Sequence, residues 1–308
     1  MPTPMLRASY LQLCRTNWKS LYLAQGKLHD EQGARWLNYV PADRNPWTDQ
    51  NFQGFGQSQD LSDGVKFTRD NYTALSDLTH DLTQYGLAGE AGYSLFKWDR
   101  SGLIKGIPKQ LERSQYYARQ YRQHAILDRA FNTAFPGFYA GEALCGAHTV
   151  NAATVNNFLT TAGTYDIEFV MSAEEHFSAL TDPRGLPIVA RPKYHVIPDN
   201  RVKILAREIF GSSKQPFGPD NTVNALIEED YEILVSRFLN SATACFVLGD
   251  KGGQEDGGHD LQFVYGDQNL ISMWEDPDAR VVVMAVFSED LTTYGEWRQT
   301  YGTQGTAA

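Results

Sequence analysis

The chain has 308 residues, 42% of them hydrophobic and 21% charged, enough to bury a sizeable core and to exclude wholesale disorder. Its 27 Lys and Arg stand against 37 Asp and Glu, a formal net charge of -10, which excludes a surface that grips nucleic-acid phosphates over its whole extent. The longest apolar run, Val281 to Phe287, is too short to span a bilayer, and the N-terminus lacks the basic-then-apolar pattern of a secretory signal, so a cytosolic product is expected.

Residues 1–37 carry Tyr10, Leu11, Leu13, Trp18, Leu21, Tyr22 and Leu23 at helical spacing, with a break near Gly26. Such a terminal helix needs something to dock on. From 38 to 85 the pattern changes. Pro41, Pro46, Gly54, Gly56 and Gly64 interrupt any helix, while Trp47, Phe52, Phe55, Val65, Phe67 and Tyr72 remain available for burial. Ordering a residue costs roughly 1–2 kcal/mol and burying a large apolar side chain returns roughly 1.5–3 kcal/mol, so this stretch needs neighbours. It reads as a long hairpin-like extension whose aromatic residues pack on other copies of the chain.

After the glycine-punctuated stretch from Gly86 to Gly106, residues 107–135 read as one long helix, about 40 Å at 1.5 Å per residue. Pro108 suits a first helical position and Pro136-Gly137 a stop. Leu111, Ser114, Ala118, Tyr121 and Ala125 recur on one face, continued by Leu127, Ala130, Phe131 and Ala134. Lys109, Glu112, Arg113, Arg119, Arg122, Gln123 and Arg129 occupy the faces expected to be wet. A second helix is expected over 162–180, ended by the turn Thr181-Asp182-Pro183-Arg184-Gly185.

A new pattern begins at Arg191-Pro192. Tyr194 to Ile197 reads as a buried strand, and Asp199 as the N-cap of a helix in which Val202, Leu205, Ala206 and Ile209 share a face, closed by Gly211. Further strands are expected at 231–239, 244–248, 261–265 and 280–288, the last dense in Val and central. Helices and strands mix without βαβ alternation, which points to an α+β fold.

Signals of chemistry are sparse. The seven histidines show no close metal-ligand spacing, and Glu174-Glu175-His176 reads as a solvated helix face. The acidic glycine loop with Asp250, Glu255, Asp256 and Asp260 matches no calcium motif. Cys14, Cys145 and Cys245 read as small buried hydrophobes. No nucleophile elbow, Walker or dinucleotide fingerprint occurs, so no catalytic, cofactor or metal residue is nominated and the expected class is not an enzyme.

Several stretches taken in order resemble the major capsid proteins of tailed bacteriophages with the Hong Kong 97 fold, particularly the relatives of the phage Mu head subunit. Gly141-Glu142-Ala143-Leu144-Cys145 followed by His148 is similar to a family run of Gly, Ala, Leu and Phe ahead of a His. Asp182 to Pro187, then Pro192, Tyr194, Val196 and Pro198, resembles an Asp-x-x-Gly-x-Pro segment leading into a strand that ends in Val-x-Pro. Val235-Ser236, Leu239 and Phe246-Val247-Leu248 look like its paired strands, and Trp297-Arg298 with Tyr301-Gly302 like its C-terminal ending. Cys145, His195 and Ala244-Cys245 depart from the family pattern and mark a distant member.

The resemblance implies an N-terminal arm (1–37), an extended loop (38–85), a peripheral domain (86–190) with the spine helix 107–135, an axial domain (191–277), and a C-terminal return to the peripheral domain (278–308). It implies a structural subunit that self-assembles into hexamers and pentamers of an icosahedral head. That head would enclose double-stranded DNA without sequence-specific binding, with a portal protein at one vertex, scaffold and decoration proteins as further partners, no cofactor and no membrane. Assembly would take place in the bacterial cytoplasm and the product would be the virion. Trp18, Trp47, Phe52, Phe55, Phe67, Arg119 and Arg122 are the nominated assembly contacts. An encapsulin-like nanocompartment is the first alternative. A soluble hydrolase with a site of scattered His and Asp is the second.

Overall fold

The computed structural model describes residues 7–53, 55, 69–71, 73–92, 94–95, 102–134, 142–150, 153–159, 163, 165–212, 231–252, 258–276 and 278–305, with the side chains of 7–15, 51–53, 73–76 and 200 excepted. In chain order the elements are α1 (Arg7–Gly26), a 3-10 turn (Gly33–Arg35), β1 (Asn38–Pro41), β2 (Trp47–Gln53), β3 (Thr73–His80), β4 (Thr83–Gly92), α2 (Leu103–Asp128), β5 (Ala147–Val150), β6 (Ala153–Asn156) and α3 (Ile167–Ser178). They continue with β7 (Tyr194–Ile197), α4 (Asn200–Gly211), β8 (Glu232–Val235), β9 (Cys245–Leu248), β10 (Leu261–Tyr265), β11 (Leu270–Asp276), β12 (Val281–Tyr294) and β13 (Thr300–Thr303).

Two sheets organise these elements. The first runs β1-β10-β12-β11, with β4 on the other edge of β12. Strand β12 is 14 residues long and alternates in burial along most of its length, with Val282, Met284 and Val286 inward. Helices α1 and α2 cover that face, where Trp18, Tyr22 and Leu111 complete an apolar cluster. The expectation of a central Val-rich strand at 280–288 is met, and the strand runs six residues further.

The second sheet runs β13-β9-β7-β8 and carries α3 and α4. Phe169, Phe177, Ile197, Ile209, Val247 and Tyr301 pack there. Asp166 caps α3 by accepting the Phe169 N–H at 2.8 Å, which starts that helix five residues later than expected. A third cluster, with Trp36, Leu127, Leu144, Phe246, Phe263 and Trp297, joins the two sheets.

Helix α3 and β13 belong to the second sheet, and β10 and β11 pair with β12 in the first. The sequence marks strands, but it does not mark their partners.

Helix α2 also departs from its expected bounds. It starts at Leu103, behind Gly102, whose φ of 71° is a conformation cheap only for glycine. Pro108 therefore sits in the second turn and is buried in the helix's contact face. The helix ends at Asp128, where the Arg129 N–H reaches back to Ala125 and Leu127 carbonyls. The expected stop at Pro136-Gly137 lies outside the described residues.

Candidate assembly surfaces

The polar side of α2 meets the N-terminal segment. Ser114, Ala118 and Tyr121, expected inward, face out, while Glu112, Gln115, Gln120, Gln123 and His124 are buried. Buried polar groups need hydrogen-bond partners, and these come from the segment between α1 and β1, from β1 and from the helix itself. Tyr116 Oη donates to the Asp30 carbonyl at 2.7 Å, Gln123 Nε2 donates to Tyr39 Oη at 2.6 Å, and Glu112 pairs with His29 Nε2 at 3.0 Å. Gln120 Oε1 accepts the Gly33 N–H at 3.4 Å, and its Nε2 donates to Gln123 Oε1 at 3.0 Å. Burial raises the Glu112 carboxyl above its usual range, against the opposing pull of His29 and Arg119. A Cβ on Gly33 would run into the Gln123 side chain, so the 3-10 turn approaches α2 as only glycine permits.

Three of the nominated contacts are engaged inside the subunit, along this seam or beside it on β12. Trp18 is 2% exposed. Arg119 pairs with Glu31 at 2.5 Å, and Glu31 also accepts from Tyr39 Oη at 3.0 Å. Arg122 forks onto Asp290 of β12 at 2.7 and 2.6 Å. The second half of the terminal helix thus packs within the chain, through Trp18 and Tyr22.

The other four nominated residues lie on the extension. Strands β2 and β3 pair with each other and with no other strand among the described residues, with a register shift at Asn51/Phe52. Trp47 at the base is half-buried, and Phe55 beyond β2 is 58% exposed. The side chains of Phe52 and Phe67 lie outside the described ones. Polar links tie this ribbon to the body: Gln262 Nε2 donates to Asp49 at 3.0 Å, the Leu82 N–H to Asn45 Oδ1 at 3.1 Å, and Arg184 to Asp70 at 2.9 and 3.0 Å.

One surface was not nominated from sequence. The face of the first sheet opposite α1 and α2 presents Leu270, Ser272 and Trp274 of β11, which pair with Phe287, Ala285 and Val283 of β12. Trp274 is 46% and Leu270 53% exposed. A signal for it existed: Val281 to Phe287 is apolar at both odd and even positions, the pattern of a strand covered on two faces, whereas the described helices of this layer cover one.

Chemistry is no better served in three dimensions. Among the described residues no group of three or more His, Cys, Asp or Glu is arranged to hold a metal ion. His176, expected on a solvated face, is buried, with Nε2 at 2.9 Å from the Arg298 carbonyl and its ring beside Trp297 and Tyr301. Burial lowers His176, His124 and His259 to about 4 and His195 to about 3. Cys145 and Cys245 are buried, and burial pushes both thiols up, so neither is a poised nucleophile; the Cys14 side chain lies outside the described ones. No helix among the described residues is long and apolar enough to cross a membrane.

No protein-family model matches the chain, and no curated protein matches it in sequence. Solved structures do. The chain is similar to the capsid of an empty GTA particle (TM-score 0.57, 10% identity, 90% of each chain covered) and to the capsid of the cyanophage P-SCSP1u (0.56, 9%, 88% of this chain and 87% of that one). It is also similar to the SrpI encapsulin of Synechococcus elongatus PCC 7942 (0.51, 11%, 89% and 87%). At such identities the likeness is one of fold, and that fold, spanning about nine-tenths of both chains, is the Hong Kong 97-like shell fold.

Proposed function

On the premise of a Hong Kong 97-like fold, we propose that this chain is the major capsid protein of a tailed-phage head, a structural and non-enzymatic subunit that assembles with itself into hexamers and pentamers. The observation that carries this reading is the first sheet, whose central strand is apolar on both faces while the described helices of its own subunit cover one. Single exposed apolar residues are ordinary, but a contiguous face of Leu270, Trp274, Val283, Ala285 and Phe287 is the kind of surface that association removes from water. The β2–β3 ribbon, paired only with itself among the described strands and ending beside the exposed Phe55, supplies a second surface of the same kind.

In this reading α1 is the arm, the β2–β3 ribbon belongs to the extended loop, the first sheet with α2 forms the peripheral layer, and the second sheet with α3 and α4 forms the axial layer. The assembled wall encloses double-stranded DNA without reading its sequence. A net charge of -10 suits a wall that must not hold on to its contents. A portal protein at one vertex, with scaffold and decoration proteins, completes the expected partners, and the product is a virion assembled in the bacterial cytoplasm.

The likeness to an encapsulin favours a second reading, a shell around protein cargo. Negative-stain microscopy of the expressed full chain tests both. Sheets, tubes or closed shells are expected, and nuclease-protected DNA inside particles from the native source separates a phage head from a protein compartment. A homogeneous monomer at tens of micromolar overturns both.

A further inference from the structure

Between α2, α4 and the segment that follows β8 lies an open groove of about 500 Å3. Its rings are Tyr116, Tyr117 and Tyr121 of α2 and Phe238, whose centroid is 5.4 Å from Tyr121, 6.1 Å from Tyr117 and 6.3 Å from Tyr116. Tyr117 is 38% and Tyr121 51% exposed, and neither hydroxyl bonds to a described residue. Lys203 and Arg237 line the same groove without a described carboxylate partner, and Arg113 lies 5.5 Å over the Tyr117 ring. The carboxylates close by are already taken, Asp30 by Arg35, Glu31 by Arg119 and Glu112 by His29. A recess of about 150 Å3 adjoins the groove, sharing Gln32, Lys203 and Val235 with it, and is lined by His124. His124 is fully buried, with its ring 5.5 Å from Phe238. Its Nδ1 lies 2.8 Å from the Gln120 carbonyl, which only accepts, so the ring proton sits on Nδ1 and Nε2 is an acceptor. That Nε2 is buried and has no hydrogen-bond partner. We propose that groove and recess together bind a nucleoside phosphate whose base carries an amino group.

Each part of the site asks for a different part of that ligand. The exposed faces of Tyr117 and Tyr121 offer a stacking platform, which takes any base because every base has a π-face. Lys203 and Arg237 are the cations for the phosphate, on a chain whose net charge of -10 otherwise repels it. The exocyclic amine supplies the N–H that His124 Nε2 lacks, and a buried acceptor gains most from a partner where water is scarce. A carboxylate from a protein partner would satisfy the two cations but leave the rings and the histidine unserved. The groove's size falls within the roughly 300–1,000 Å3 of small-molecule sites. The phosphate can belong to a free nucleotide or to a single strand of nucleic acid, and the same contacts serve both.

The site belongs to the single chain, so its test does not depend on shell formation. The full chain, with its assembly state followed by light scattering, is titrated calorimetrically with ATP, with purine riboside triphosphate, which lacks the amine, and with inorganic triphosphate. ATP is expected to bind about tenfold more tightly than the first of these controls and more tightly still than the second. Tyr121→Ala is expected to weaken ATP binding about tenfold, and Lys203→Gln or Arg237→Gln to weaken it and flatten its salt dependence, with circular dichroism reading the fold of each variant. A single-stranded deoxyadenosine oligomer that displaces ATP and binds more tightly identifies a strand as the source of the ligand. An oligomer that fails to displace ATP identifies the free nucleotide, and either outcome upholds the site. Absence of ATP binding at about 1 mM, equal binding of all three phosphates, or a folded Tyr121→Ala variant that binds like the wild type overturns the proposal.

Discussion

Arg122 and Asp290 form a two-pronged ion pair between the C-terminal third of α2 and the point on β12 where β4 and β10 both arrive. The guanidinium also lies 3.8 Å over the Tyr85 ring, and the Asp290 side chain is 1% exposed. Removing one partner leaves an uncompensated buried charge. Arg122→Ala is therefore expected to cost about 3–5 kcal/mol in chemical denaturation, and Arg122→Lys most of that, because an ammonium cannot fork. An Arg122→Met and Asp290→Leu double variant is expected to recover part of the loss. An Arg122→Ala protein that unfolds at the wild-type denaturant concentration would show that the pair is not holding α2 to the sheet.

Four buried histidines make the fold sensitive to acid. His124, His176 and His259 at about 4 and His195 at about 3 stay neutral in the folded chain, whereas the unfolded chain protonates them near 6.5. The unfolded state then binds more protons, so stability is whole above pH 6.5 and drains as pH falls from 6.5 towards 4. By pH 5 each histidine accounts for about 2 kcal/mol. The raised carboxyls of Asp260 and Glu112 act in the opposite sense, gaining stability as pH falls, and blunt the net slope. Urea midpoints at pH 7 and pH 5 measure the difference. His195→Phe is expected to lower stability at pH 7, through the lost partner of Tyr165 Oη, and to reduce the pH dependence.

The same histidines show what a sequence conceals. The strands at 194–197, 245–248 and 261–265, the helix behind Asp199 and the Val-rich central strand were legible because their apolar residues recur at the period of the element. The orientation of α2 was not. Hydropathy assigned Ser114, Ala118 and Tyr121 to its inner face, whereas the helix buries Glu112, Gln120, Gln123 and His124, whose partners lie up to 87 residues away. Periodicity reports apolar burial only, so a seam made of hydrogen bonds leaves no trace in it. Of the nominated contacts, Trp18 packs with Leu111 of α2 and the inward residues of β12. Trp274, at the open sheet face, lies on β11, whose run Leu270–Asp276 lacks a strict apolar–polar alternation and so carries no strand signal.

Asn157 is a hinge of hydrogen bonds that no apolar pattern could announce. Its Nδ2 donates to the carbonyls of Leu144 at 2.7 Å and Thr300 at 3.0 Å, and its Oδ1 accepts the Gly146 N–H at 2.7 Å. It is fully buried where the segment before β5 meets the C-terminal strand β13. Asn157→Ala strands three backbone groups at once. With each lost partner worth about 1–3 kcal/mol, the expected cost is several kcal/mol, read as a lowered thermal midpoint and lost amide protection in β13. Asn157→Asp is expected to be nearly as harmful, because a carboxylate accepts from Gly146 but donates to neither carbonyl.

Trp274→Glu separates folding from assembly. The side chain is 46% exposed in the subunit and lies on the sheet face away from α1 and α2, next to Val283 and Glu90 across the register. A glutamate there stays in water in the isolated chain, so the unfolding midpoint is expected to move by no more than about 0.5–1 kcal/mol. In a shell whose copies cover this face, the same carboxylate would be carried into an apolar contact beside the existing negative charge of Glu90, a burial that costs several kcal/mol at every subunit. Because that cost recurs at each of many equivalent contacts, particle yield is expected to collapse while the subunit remains folded. Size-exclusion chromatography with light scattering reads the yield, and far-UV circular dichroism reads the fold. Normal particles from Trp274→Glu would show that this face stays wet in the assembly and that closure relies on the β2–β3 ribbon instead.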